Sequence, residues 1–174
     1  MHNPEAFARE TLRKHGAMTA PVDVIGIAQQ LGAKVIFKNT FDDDLCGMLY
    51  REGSDIIIGV NEYHHEKRQR FTIAHEIGHL VMHSHIINKV HVDRKFTEKL
   101  KRDKRASLGL DKMEIEANRF AAELLMPTEM LVKAVDDRLD VENGLQDLAE
   151  NYKVSVQAMS IKLTRLFPDL GLLP

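Results

Sequence analysis

The chain has 174 residues, 44% hydrophobic and 29% charged, with a formal net charge of −2. That balance describes a globular chain of one domain, or one domain with a small appendage, able to bury a core, and the charge says nothing strong about partners. A single cysteine, Cys46, excludes an intramolecular disulfide and fits a reducing compartment; no run approaches membrane-spanning length, and Met1–Ala6 lack the basic and apolar regions of a secretion signal, so a cytoplasmic setting is expected.

Asn3 to His15 reads as a helix capped by Asn3, with Pro4 in its first turn and Gly16 as its stop. A second is expected from Pro21 to Leu31, with Val24, Ile25, Ala28 and Leu31 on one side and Gly32 beyond it. Three β-type runs follow, Lys34–Lys38, Leu45–Arg51 and Asp55–Val60. Asn39–Asp44 reads as an acidic loop and Arg51-Glu52-Gly53-Ser54 as a hairpin turn. Asn61 is placed as the cap of a long helix reaching about His83.

Residues 84–112 show little apolar periodicity and carry the mostly basic run Lys95–Arg105, so they read as a basic insertion loop on a solvated surface. Helical order returns at Met113–Met126, with Met113, Ala117, Phe120, Ala121, Leu124 and Leu125 on one face. Pro127 ends it, and Thr128 is expected to cap a short helix to about Val135. Gly144–Tyr152 and Ser155–Phe167 make a final helical pair with the rhythm of a helix-turn-helix. Only Gln157, Lys162 and Arg165 are offered for DNA contact, so a packing hairpin is favoured over a DNA reader. The expected division is a main unit over 1–135 and a C-terminal hairpin over 136–174, packed on the same domain. There is no internal repeat and no low-complexity segment.

The chemistry lies in His75-Glu76-Ile77-Gly78-His79, an H-E-x-x-H. On a helix His75 and His79 stand one turn apart on one face, so both imidazoles reach one metal ion. Glu76 lies about 100° round from His75, placed to touch water at that ion without binding the ion itself. Two imidazoles plus a third protein ligand leave the open zinc position that hydrolysis requires. Ile73, Ile77, Leu80 and Val81 form an apolar stripe opposite, so one face is expected buried and the other chemical. Gly78 costs roughly 1 kcal/mol against alanine in a helix, which anticipates close approach by a strand or by substrate. His83 continues the histidine face but lies about 6 Å beyond His79, too far for all three to share an ion. It stands as a cleft-wall candidate, orienting a ligand or stabilising an oxyanion.

For the third ligand the Met113–Met126 helix offers Glu114 and Glu116. Glu114 falls within the inward stripe between Ala117, Ala121 and Leu125; Glu116 falls at its edge. A carboxylate inside an apolar face is costly unless paired or bound to metal, so Glu114 is the better candidate, with Glu116 still open. Asn118, one turn on, is expected to hydrogen-bond Glu114 and orient it.

Two stretches, Arg68-Gln69-Arg70-Phe71-Thr72-Ile73-Ala74-His75-Glu76-Ile77-Gly78-His79 and Glu114-Ile115-Glu116-Ala117-Asn118-Arg119-Phe120-Ala121-Ala122-Glu123-Leu124-Leu125-Met126-Pro127, together resemble the ImmA/IrrE family of zinc metallopeptidases. The resemblance covers most of the chain. It implies an α+β, zincin-like fold of the gluzincin kind: a small, mostly antiparallel sheet packed on the H-E-x-x-H helix, with additional C-terminal helices. It implies His75, His79 and Glu114 as ligands of Zn2+ and Glu76 as catalytic base. It further implies a helix-turn-helix transcriptional repressor of a phage, mobile element or stress response as partner and substrate. Strand Leu45–Arg51 is expected as an edge onto which that substrate adds. Two rivals stand beside this antirepressor protease: a non-proteolytic zinc-containing regulator that binds a repressor or DNA, and a toxin-type metalloprotein.

Overall fold

A computed structural model of the chain describes residues 3–39, 45–84, 89–94, 104–136 and 144–168. The acidic loop expected at Asn39–Asp44 lies outside them apart from Asn39. Helix α1, Pro4–Lys14, begins where Asn3 accepts from the Ala6 amide, and it ends before Gly16 at φ +62°. Helix α2, Val24–Gln30, starts later than the expected Pro21 because the Asp23 carboxylate caps it by accepting from the Gly26 amide. Its inward side is Val24, Ile27 and Ala28, while Ile25 is exposed.

Strands β1 (Ala33–Lys38), β2 (Leu45–Glu52) and β3 (Asp55–Asn61) follow within a residue or so of expectation. The β2–β3 hairpin turns at Gly53 and Ser54 between paired Glu52 and Asp55, with Gly53 at φ +60°, a conformation that favours glycine. A fourth strand, β4 (Lys89–Arg94), pairs antiparallel with β2, giving the sheet order β1-β3-β2-β4; among the described strands only β1 and β3 pair in parallel. Two expectations are corrected here. β2 is not an edge, since β3 and β4 flank it. Residues 84–112 are not one loop, since they contain β4 and the opening turns of helix α4, Lys104–Leu125. Helix-forming residues such as Ala106, Leu108 and Leu110 lie among the basic ones there, and pairing with β2 supplies the partner that β4 lacks in the sequence alone.

Helix α3, Glu66–Met82, is capped by His65 rather than Asn61. Asn61 ends β3, its side chain donating to Leu45 O and accepting from the Tyr63 amide, so it closes the sheet instead of opening the helix. α3 lies between layers, packed on β2 and β3 on one side and on α4 on the other, with α1 beyond against α4. Every residue from Thr72 to Leu80 is therefore buried, and the expected division into a buried and an open face does not hold.

Helix α5, Thr128–Asp136, includes Thr128 as its first residue. Glu123 supplies the cap, accepting from both the amide and the hydroxyl of Thr128. Helices α6 (Gly144–Asn151) and α7 (Val156–Leu166) form the expected pair, with Ser155 capping α7. Leu148, Ala149, Met159 and Leu163 join the same buried cluster as Ile73, Ile77 and Phe120. Lys162, one of the three residues offered for DNA contact, turns inward to buried Glu123. The fold is α+β, and no helix among the described residues is long and apolar enough to cross a membrane.

Candidate metal centre

The site is built where α3 crosses α4. A Cβ placed on Gly78 would stand 3.3 Å from Ala117 Cα and 3.1 Å from Phe120 Cδ1, so the close neighbour of Gly78 is helix α4 and not the strand or substrate anticipated. At about 100° per residue, Glu114 and Asn118 lie on one side of Ala117 and Glu116 on the other. The two glutamates therefore reach α3 from opposite flanks of the crossing.

On the first flank, ligand atoms of His75, His79 and Glu114 lie within 4.8 Å of one another. His75 Nε2 is 3.0 Å from His79 Nε2, and the Glu114 oxygens are 3.5 Å from His75 Nε2 and 3.3 Å from His79 Nε2. Three corners of a tetrahedral site with bonds of 2.0–2.1 Å are separated by about 3.3 Å, so this spacing fits zinc-type coordination. The proton inventory points the same way. Asn118 Oδ1 stands 3.0 Å from His75 Nδ1 and accepts its proton, which leaves a lone pair on Nε2. With His79 Nε2 likewise unprotonated, the two nitrogens and the carboxylate would present three converging donors to a cation.

Of the two glutamates, Glu114 stands with the histidine pair, and Glu116 meets His83 at 3.0 Å. Asn118 differs from expectation, its amide oxygen being set against His75 where a contact to Glu114 was anticipated. His83 is 2% exposed, with ring nitrogens facing His79 and Glu116. Cys46 is outside the ligand group; its sulfur accepts from Arg68 Nη2.

Glu76 is fully buried. Next to it in β2 is Gly47, where an added Cβ would lie 3.4 Å from Glu76 Oε1 and far inside contact distance of Thr72 Cγ2. The absent side chain is what lets β2 run close over the carboxylate. Neither the role of Gly47 nor the Glu116–His83 contact is foreseen from sequence. Their one sequence signal is residue type, a glycine within a strand and a second acid two residues after the first.

Residues 28–164 match the family model Peptidase_M78, the IrrE N-terminal-like domain. The chain belongs to this family. The resemblance carried by the His75–His79 and Glu114–Pro127 stretches thus holds over most of the chain, and membership of the Peptidase_M78 family supports a peptidase with a metal at the His-His-Glu group. No curated protein matches the chain at a significant level. Among solved structures, a Mycobacterium tuberculosis transcriptional regulator is similar at a TM-score of 0.66 and 18% identity, over 94% of this chain and 47% of that one. That likeness shows the fold, and this Peptidase_M78 chain spans about half the length of that regulator.

Proposed function

We propose that the chain is a zinc-dependent endopeptidase that cleaves a helix-turn-helix transcriptional repressor, acting as an antirepressor for a phage, mobile element or stress response. The observation that carries this is the convergence of His75, His79 and Glu114 with tetrahedral spacing, with Glu76 at the next helical position. Zinc, when bound, supplies a Lewis acid that polarises a scissile carbonyl and acidifies water. His75 Nε2, His79 Nε2 and a Glu114 oxygen would hold it. Glu76 acts as general base, taking a proton from the attacking water and returning it to the leaving nitrogen. Asn118 keeps the His75 ring oriented through Nδ1.

In this reading the packing is zincin-like, with residues 1–135 as the metallopeptidase unit and 136–174 as a hairpin docked on it. The ion pairs Lys67–Glu150 and Glu66–Lys153 join that hairpin to the first turn of α3, which supports the docking. A protein substrate is favoured over DNA because Lys162 is committed to Glu123. The single cysteine agrees with a cytoplasmic setting.

The test is to measure metal content and then incubate the protein with the repressor encoded beside its gene. About one zinc per chain is expected, with cleavage that a chelator abolishes. Glu76→Gln should keep the metal and lose cleavage. Cleavage by Glu76→Gln would refute the assigned base, and a wild type that binds the repressor without cutting it would favour the non-proteolytic regulator.

A further inference from the structure

His79 has a neighbour on the side away from the metal group. Its Nδ1 lies 3.2 Å from His83 Nδ1, and His83 Nε2 lies 3.0 Å from Glu116 Oε2. His83 and Glu116 are both buried, and Lys112 Nζ stands 3.8 Å from the other Glu116 oxygen. His83 is the C-cap of α3, its amide bonded to His79 O, so its ring hangs one turn beyond His79, where an acid on the second flank of α4 meets it.

The protons along this line follow from what each group can do. A ring nitrogen that binds a metal ion carries no proton, so a His79 that offers Nε2 as ligand keeps its single N–H on Nδ1. That N–H donates to His83 Nδ1, 3.2 Å away, and His83 turns its other nitrogen to Glu116 Oε2. His79 Nε2 is left with its lone pair, aimed at the point that His75 Nε2 and Glu114 also face, 3.0 and 3.3 Å away.

We propose that Glu116 and His83 are positioning residues that hold His79 in the Nδ1-protonated tautomer and so keep its Nε2 ready for a metal ion. The carboxylate acts through one intervening imidazole. Its effect is to fix the ring of His79 and raise the basicity of the ligand nitrogen. Asn118 does the equivalent for His75 in a single step. The inference rests on the metal-site part of the proposed function and is independent of proteolysis and of the identity of any substrate.

The experiment uses metal-free, 15N-labelled protein, in which long-range proton–nitrogen correlations of the imidazoles report which ring nitrogen is protonated. Wild type should show His79 protonated at Nδ1; protonation at Nε2 would overturn the proposal at once. Glu116→Met and His83→Phe should convert His79 to a tautomer mixture and leave His75 unchanged, whereas Asn118→Ala should disturb His75 alone. Zinc affinity, read by competition with a chromogenic chelator, should fall about 10–100-fold in Glu116→Met. Glu116→Gln, whose amide oxygen still accepts from His83 and whose shape is nearly unchanged, should stay within a few-fold of wild type. It also remains readable if the other two variants fail to fold. Wild-type tautomer and affinity in Glu116→Met would sink the relay, as would a Glu116→Gln variant that falls as far as Glu116→Met. A wild type that binds no zinc removes the metal-site reading, while the tautomer spectrum still judges the relay by itself.

Discussion

Gly78 packs directly on Ala117: a Cβ there would be 3.3 Å from Ala117 Cα and 3.1 Å from the buried Phe120 ring, tighter than ordinary van der Waals contact. His75 and His79 are on α3 and Glu114 on α4, so this contact sets the distance between the two halves of the candidate ligand group. Gly78→Val should destabilise the protein by about 1–3 kcal/mol, the range for overpacking a close-packed site. The same variant should also bind zinc more weakly, because the wedge moves Glu114 away from the histidines. Urea unfolding in the presence of chelator and a separate zinc titration read the two effects; wild-type values in both would show the crossing to be slack.

Gly47 bears on Glu76 in the same way from the sheet side. A Cβ at this position would overlap Thr72 Cγ2, stand 3.0 Å from Gly59 O and come within 3.4 Å of Glu76 Oε1. Gly47→Ala is expected to push β2 off α3 at a cost of about 1–3 kcal/mol. Thr72→Ser removes the methyl group most in the way, so the double variant should recover part of the loss, with a coupling of at least about 0.5 kcal/mol. Strict additivity in that cycle would mean that the clash is relieved elsewhere.

Glu123 is a buried acid, 1% exposed, shared by α1, α5 and α7 through Arg9, Thr128 and Lys162. Lys162→Met should cost about 2–3 kcal/mol, less than the 3–5 typical when a buried charge loses its only partner, because Arg9 and Thr128 still hold the carboxylate. Adding Glu123→Leu should recover much of that cost, since no buried charge then remains. Zinc affinity should not change in either protein. A Lys162→Met variant as stable as wild type would show the ion pair to be energetically idle.

Glu5 accepts two hydrogen bonds from Arg119, at 2.8 and 3.0 Å, which ties α1 to α4. Partial burial opposes ionisation of Glu5, yet the Arg119 hydrogen bond and charge outweigh it and hold the carboxyl below the ordinary value of 4.5. A folded-state value below the unfolded one means that this contribution is present above about pH 4.5 and is lost as pH falls through the lower folded value. The stability gap between wild type and Glu5→Gln should therefore be constant near neutrality and close as the solution is acidified. Chemical unfolding at a series of pH values measures it; a gap that widens in acid would have the wrong sign.

Local signals carried the helix and strand inventory a long way. Asn3, Ser155, Gly16, Gly32 and the Gly53–Ser54 turn act over a few residues, and each sits where its own backbone chemistry requires. The H-E-x-x-H spacing likewise places His75 and His79 on one face through helical geometry alone, and the apolar stripe of α4 favoured Glu114 while leaving Glu116 open. What sequence could not supply is anything that depends on a partner distant along the chain. β4 becomes a strand only beside β2, Asn61 serves the sheet because Leu45 lies within reach, and Lys162 turns inward because Glu123 waits there. The angle at which α3 meets α4 decided the rest, placing Glu114 with the histidine pair and Glu116 on His83, and bringing Asn118 to His75. Periodicity reports which face a residue shares, whereas the packing of Gly78 on Ala117 determines what that face meets.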